Sequence, residues 1–159
     1  MSSKTLCNLI RTAVIAVAVC GLATCGYFLP KIGLNIANNN PEYAGFFIPW
    51  LIFLLIAVVP CFVILGIAWR VATAIKNEQM FTMQTARWIK VCAMLLLFDV
   101  GFFFIGNSVL LLLGMSHPVI FLVSLFVNIF GVLLVVISAA FSRYITKAAV
   151  LQEEADCTI

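Results

Sequence analysis

Four long apolar stretches, separated by short polar segments, constrain the fold of this chain more than any other feature of its sequence. They cover about residues 12–29, 46–69, 91–114 and 119–141, and each is long enough for a helix to cross a hydrocarbon layer of about 30 Å. The chain is 65% hydrophobic and only 9% charged, whereas a soluble domain needs far more charge to cover its surface. The sequence therefore predicts an all-α polytopic membrane protein, a single domain folded as an antiparallel bundle of four transmembrane helices in the lipid bilayer.

Lysine and arginine residues are divided very unequally between the two predicted sides of the membrane. One side holds eight of the nine: Lys4, Arg11, Arg70, Lys76, Arg87, Lys90, Arg143 and Lys147. The other side holds only Lys31. Because basic residues near short loops stay on the cytoplasmic side, we expect both termini, the loop 70–90 and the tail 142–159 to be cytoplasmic.

The polar segments carry several local signals of helix boundaries. Pro30 to Gly45 is rich in asparagine and proline, which predicts an irregular outer loop. Arg70 to Lys76 can continue the second helix, Asn77-Glu78-Gln79 interrupts it, and Thr82 is a predicted N-cap of the third helix. The tail is expected to prolong the fourth helix.

Asp99 is the most specific candidate for a functional residue, since it is a carboxylate near the middle of the third apolar stretch. A carboxylate at that depth costs about 2.5–3.5 kcal/mol, so we expect it to face the other helices and to hydrogen-bond. Asn107 and Asn128 are further intramembrane polar residues, and Asn128 would lie at a similar depth if the third and fourth helices are antiparallel neighbours. Two interpretations remain open, a structural hydrogen bond and a proton or cation relay. No second charge within the membrane accompanies Asp99, which favours the structural one.

Residue patterns that would indicate catalysis or a bound cofactor are missing from the sequence. Its six cysteines include no C-x-x-C pair, and we find no phosphate-binding glycine loop, no nucleophile triad and no paired carboxylates within the membrane. We therefore expect a protein that is not an enzyme and that has no cofactor or metal. The basic residues lie at helix ends rather than in one patch, which argues against direct binding of nucleic acid. Nothing in the sequence specifies an oligomeric state, ligand or signal.

The predicted cytoplasmic surface combines apolar and charged residues. The basic residues there could serve only to set topology, to attract anionic lipid headgroups or to pair with the acidic tail. An apolar centre with charged surroundings is also typical of protein interfaces. We therefore predict a partner face formed by Phe81, Thr82, Arg87, Lys90, Leu151, Glu153, Glu154 and Asp156.

Two segments of this surface resemble a known bacterial membrane family, domain of unknown function 2975. KNEQMFTMQTARWIK is similar to the family signature nGxxFtxxNaxxLrxIg, and LQEEADCTI is similar to its closing LqeEnDLTI. The resemblance implies a four-helix protein of the bacterial inner membrane, often encoded beside a small Cro/C1-type helix-turn-helix regulator. By analogy it implies a regulatory or scaffold role in which the cytoplasmic face binds such a regulator. The alternative is a small transporter or permeation protein that uses Asp99.

Overall fold

The computed structural model describes residues 3–76 and 81–156, and nearly all of them are helical. Helix α1 (Ser3–Ala23) passes through a π-helical turn (Thr24–Phe28) into α2 (Leu29–Asn39). A 3-10 turn (Pro41–Phe46) leads to α3 (Phe47–Lys76), which is followed by α4 (Met83–Leu112) and α5 (Pro118–Asp156). The described residues include no strand.

Four helical segments are long and apolar enough to cross a membrane: Lys4–Asn39, Ala44–Lys76, Met83–Leu112 and Pro118–Gln152. The prediction of an all-α membrane protein with four spans is therefore confirmed. Large apolar side chains lie exposed along these segments, among them Phe98, which is 66% exposed, and Phe126, which is also 66% exposed. Such exposure is expected where the surrounding medium is lipid rather than water.

The ends of α3, α4 and α5 follow the signals in the sequence. The Thr82 side chain accepts a hydrogen bond from the Thr85 backbone N–H at 3.3 Å, which confirms Thr82 as the N-cap of α4. α3 continues to Lys76 and α5 to Asp156, so both predicted extensions are helical. The predicted break at residues 77–79 lies outside the described residues, as does the end of the tail motif at 157–159.

The segment after the first span differs from the prediction. The expected irregular loop over Pro30 to Gly45 is wrong, because residues 29–39 form helix α2 and a 3-10 turn follows. Pro30 is compatible with this, since it lies in the first turn of α2, where its missing N–H is not needed. The asparagines also support the helix end, where the Asn40 side chain donates to Ile36 O at 3.0 Å. In this segment a turn-forming residue therefore donates a hydrogen bond to a backbone carbonyl at the end of a helix, and the helix is not interrupted.

A tight connection joins α4 to α5. Gly114 adopts a positive φ of 68°, a left-handed conformation that only glycine adopts freely. His117 then precedes α5, and its Nδ1 accepts a hydrogen bond from the Val119 backbone N–H at 3.2 Å. The histidine therefore supports the start of α5, with its ring exposed.

Membrane spans that follow one another in the chain also pack against one another. Among the described residues, extensive contacts join α1 to α3, α3 to α4, and α4 to α5. Early residues of one span meet late residues of the next where Arg11 lies over Trp69 and where Ser142 bonds to Ala86. The middle of α3 meets the middle of α4 where Cys61 bonds to Asp99. Each hairpin thus brings the basic helix ends to one end of the molecule.

Candidate functional site

The Asp99 carboxyl group, on α4, contacts a side chain of the preceding span. The Cys61 thiol of α3 donates a hydrogen bond to Asp99 Oδ2, and Sγ and Oδ2 are 3.4 Å apart. The second oxygen, Oδ1, is buried and has no hydrogen-bond partner in the described part of the chain. Asp99 therefore faces a neighbouring helix, and half of its carboxyl group stays free for a further hydrogen bond.

The other two intramembrane polar residues bond within their own helices. Asn107 donates through Nδ2 to Phe103 O at 2.9 Å, and Asn128 donates through Nδ2 to Ser124 O at 3.0 Å. Asn128 Oδ1 is buried without a partner among the described residues. Asp99, Asn107 and Asn128 thus form separate sites rather than a connected chain of hydrogen bonds.

Sequence reasoning missed the role of Cys61, because a cysteine in an apolar stretch is usually a small filler. A signal for it existed in the spacing of the hairpin. Cys61 lies 15 residues before the end of α3 at Lys76, and Asp99 lies 16 residues after the start of α4 at Met83. Two side chains at nearly equal distances from the turn of a helical hairpin lie at nearly the same depth in the membrane.

A shallow apolar groove lies beside Cys61, between the first span and α3. Its volume is about 260 Å³, and its lining includes Gly21, Cys25, Cys61 and Phe62. The π-helical turn that begins at Thr24 forms one edge of this groove. The described residues contain no group of three or more histidine, cysteine or acidic side chains that could hold a metal ion. The polar side chains that line the groove are the Cys25 and Cys61 thiols and the Thr24 hydroxyl, and the Asp99 carboxyl group lies beside it as the partner of Cys61.

Cation–π contacts join neighbouring helices at the basic end of the molecule. Arg11 of α1 lies 5.0 Å from the centre of the Trp69 ring and donates to Thr73 Oγ1 at 3.1 Å. Arg70 of α3 lies 5.0 Å from the centre of the Trp88 ring of α4. A guanidinium above an indole is favourable, more so where water is partly excluded. Three helices are therefore joined at this end by their basic residues.

Helices α4 and α5 are joined at the same end by a small buried core. Ala86 and Ile89 of α4 pack with Ile145 of α5, and Val71 of α3 lies against this cluster. The buried Ser142 hydroxyl donates to Ala86 O at 3.0 Å. This core fixes the start of α4 beside the last third of α5.

The predicted partner face is exposed around this core. Phe81 is 49% exposed and Leu151 is 65% exposed, while Arg87, Lys90 and Glu154 are also exposed. Thr82 is half-buried by its capping role. Glu153 and Asp156 lie on α5, but their side chains fall outside the part of the chain that the structure describes. The face is thus an accessible surface at the basic end.

Two further basic residues of this end were not assigned to the face from the sequence. Arg143 and Lys147 are exposed on α5 and line a groove with Lys90 of α4. Their spacing of four residues, which places both on one side of a helix, was the available signal. The structure adds to it by showing that Lys90 faces the same groove.

A sequence model of the family described as "Protein of unknown function (DUF2975)" matches residues 31–159, well over half of the chain. The matched region includes both segments that resemble the family, so the predicted resemblance is confirmed. No curated protein and no solved structure matches the chain.

Proposed function

The chain belongs to the family described as Protein of unknown function (DUF2975), and from this membership we propose that it is a non-enzymatic regulatory or scaffold protein of the bacterial inner membrane. Its basic end, with both termini, lies in the cytoplasm and binds a cytosolic protein. The proposed partner is a helix-turn-helix transcription regulator encoded beside it. Binding would hold that regulator at the membrane and so lower its concentration at DNA.

The observation that carries this proposal is a pair of large apolar side chains exposed beyond the basic residues. Phe81 precedes Arg87 and Lys90 at the start of α4, and Leu151 follows Lys147 on α5 by four residues, about 6 Å along the helix axis. Basic residues favour the boundary between lipid and water. The proposal therefore takes Phe81, before the first basic residue of α4, and Leu151, after the last basic residue of α5, to lie on the aqueous side of that boundary.

The surroundings of these two residues suit a protein partner. Arg87 and Lys90 offer positive charge beside Phe81, while Glu154 offers negative charge beside Leu151. Charges of both signs around an apolar centre give orientation to a complex, and the apolar centre supplies most of its affinity. A nucleic acid would be repelled by the acidic half of the face, so the proposed ligand is the regulator protein itself.

A bacterial two-hybrid assay with the neighbouring regulator tests the proposal. The full chain should give a signal, and a chain truncated after Val150 should lose it, because the truncation removes Leu151 and the acidic tail. Membrane fractionation should show equal insertion of both chains. Absence of a signal with the full chain would remove the proposal.

A second candidate function, transport or permeation through Asp99, is favoured by one observation. Asp99 Oδ1 is buried without a partner among the described residues, so it could accept a proton or contact a cation. Proteoliposomes with wild-type protein and with the Asp99→Asn variant would be compared for proton and cation flux. Flux in the wild type that the variant abolishes would favour this candidate over the leading one.

A further inference from the structure

A groove of about 670 Å³ runs between α4 and α5 at the basic end of the molecule. Its rim carries three cations, Lys90, Arg143 and Lys147. Farther along the two helices its lining is apolar and includes Met94, Leu97 and Val135. Positive charge and apolar surface are therefore combined in one concave site whose size suits a small-molecule ligand.

Close contacts join α4 and α5, the two helices that line the groove. At the basic end the Ser142 hydroxyl donates to Ala86 O at 3.0 Å, and farther into the membrane Val100 packs over Gly131. Between these two contacts the lining contains the short side chain of Ala139. The groove thus belongs to a fixed pair of helices.

The three cations have no acidic partner among the described residues. All three are exposed, and none takes part in an ion pair or a hydrogen bond within the described part of the chain. The residue four positions after Lys147 on α5 is Leu151, so Lys147 has no acidic residue at the helical i+4 spacing. Glu154 lies seven residues after Lys147 on the same helix, which is about 10 Å along its axis. Within the described part of the chain, the groove therefore presents three positive charges without an acidic partner at the edge of an apolar stretch.

We propose that this groove binds one anionic phospholipid. The phosphate lies among Lys90, Arg143 and Lys147, and an acyl chain lies against Met94, Leu97 and Val135. Lys90 and Leu97 are seven residues apart on α4, or about 10 Å along the axis, a distance that separates a headgroup from the first part of its acyl chain. Basic pockets between transmembrane helices are suited to anionic headgroups. This site does not depend on the proposed protein partner, although Lys90 belongs to both surfaces.

Native mass spectrometry of the purified full chain tests the proposal. The chain in neutral detergent is mixed with equal amounts of phosphatidylglycerol and phosphatidylcholine that carry the same acyl chains. We expect phosphatidylglycerol to be retained about tenfold more than phosphatidylcholine, since several basic residues contact one headgroup. Replacement of the rim by Lys90→Gln, Arg143→Gln and Lys147→Gln should remove this preference.

A matched control carries Lys4→Gln, Lys76→Gln and Arg87→Gln, which remove the same charge from exposed positions outside the groove lining. It should retain the preference. If it loses the preference as fully as the rim variant does, net charge explains the binding and the proposal is overturned.

A third variant distinguishes a lipid from a soluble phosphate. Ala139→Phe keeps all the charges but fills the groove, so it should lose phosphatidylglycerol, and elution at the wild-type volume in gel filtration would show that it is folded. Glycerol phosphate, which has no acyl chain, should not displace the lipid from the wild type. Unchanged lipid binding by the Ala139→Phe variant, or displacement by glycerol phosphate at equal concentration, would show a site for the anion alone and contradict the proposal.

Discussion

The Cys61 thiol of α3 donates a hydrogen bond to the Asp99 carboxyl group of α4 over 3.4 Å, and this bond joins two apolar helices. This hydrogen bond forms between the two side chains directly, without a further polar residue. A thiol is a weak donor and a carboxyl oxygen is a good acceptor, whether the acid is charged or protonated. A single carboxyl group can therefore be accommodated in an apolar stretch without a relay of polar residues.

The energy of this bond is measurable by a double-mutant cycle. We expect Cys61→Ala and Asp99→Ala to be coupled by about 0.6 kcal/mol, the usual size of a hydrogen bond between membrane helices. Unfolding in mixed detergents, followed by circular dichroism, gives the four stabilities. Asp99→Asn should stay close to the wild type, because its amide oxygen can still accept the thiol. Coupling that is indistinguishable from zero would show that the contact does not stabilise the protein.

Gly106 should not tolerate a side chain. A Cβ placed there would collide with the Phe53 ring, whose centroid lies 5.4 Å from that of Phe102 and 5.9 Å from that of Phe103. We expect Gly106→Ala to lower the free energy of unfolding by about 1–3 kcal/mol. Gly101→Ala is the control, since its Cβ would meet nothing within 4 Å. The control should be neutral or stabilising by up to about 1 kcal/mol, and equal destabilisation by both changes would contradict the close packing of α3 on α4.

The Thr82 cap should control the first turn of α4. Thr82→Ala removes the acceptor of the Thr85 N–H and should cost about 1 kcal/mol, whereas Thr82→Ser keeps the hydroxyl and most of the stability. Hydrogen exchange at the Thr85 amide is the direct measurement. Faster exchange in the alanine variant alone is the expected result. Unchanged exchange in both would mean that the cap does not hold this turn.

Local chemistry in the sequence was sufficient to predict the helical class, the four spans and the start of α4. Uninterrupted apolar stretches leave the backbone no partner except itself in lipid, so a helix is required whatever the neighbours are. The Thr82 cap was predictable for a similar reason, since its partner lies only three residues away in the chain.

Contacts between distant residues were not predictable in the same way. Helix α2 packs against α3 at Gly33, whose lack of a side chain lets the Phe47 and Trp50 rings lie against it, and asparagine and proline alone gave no sign of this packing. The partner of Asp99 and the joint groove of Lys90 with Arg143 depend on which helices are neighbours. A single sequence carries that information only through hairpin spacing.

The orientation of the basic end is open to a direct test with enzyme fusions. Alkaline phosphatase is active only outside the cytoplasm, so fusion after Asn40 should be active and fusion after Lys76 should be silent. The eight-to-one division of basic residues is the reason. The reverse pattern of activity would place the proposed partner face on the wrong side of the membrane.

The most direct measurement is the affinity of the protein for the neighbouring helix-turn-helix regulator at physiological salt. The full chain is held in nanodiscs of neutral phosphatidylcholine, so that lipid charge cannot attract the regulator. A variant with Phe81→Ala and Arg87→Glu alters the partner face, and its matched control, with Leu113→Ala and Lys31→Glu, alters the opposite end of the molecule. We predict that the face variant loses at least about tenfold in affinity, as expected for an apolar anchor and its charged neighbour, while the control binds like the wild type. Equal affinity of all three proteins would contradict the account.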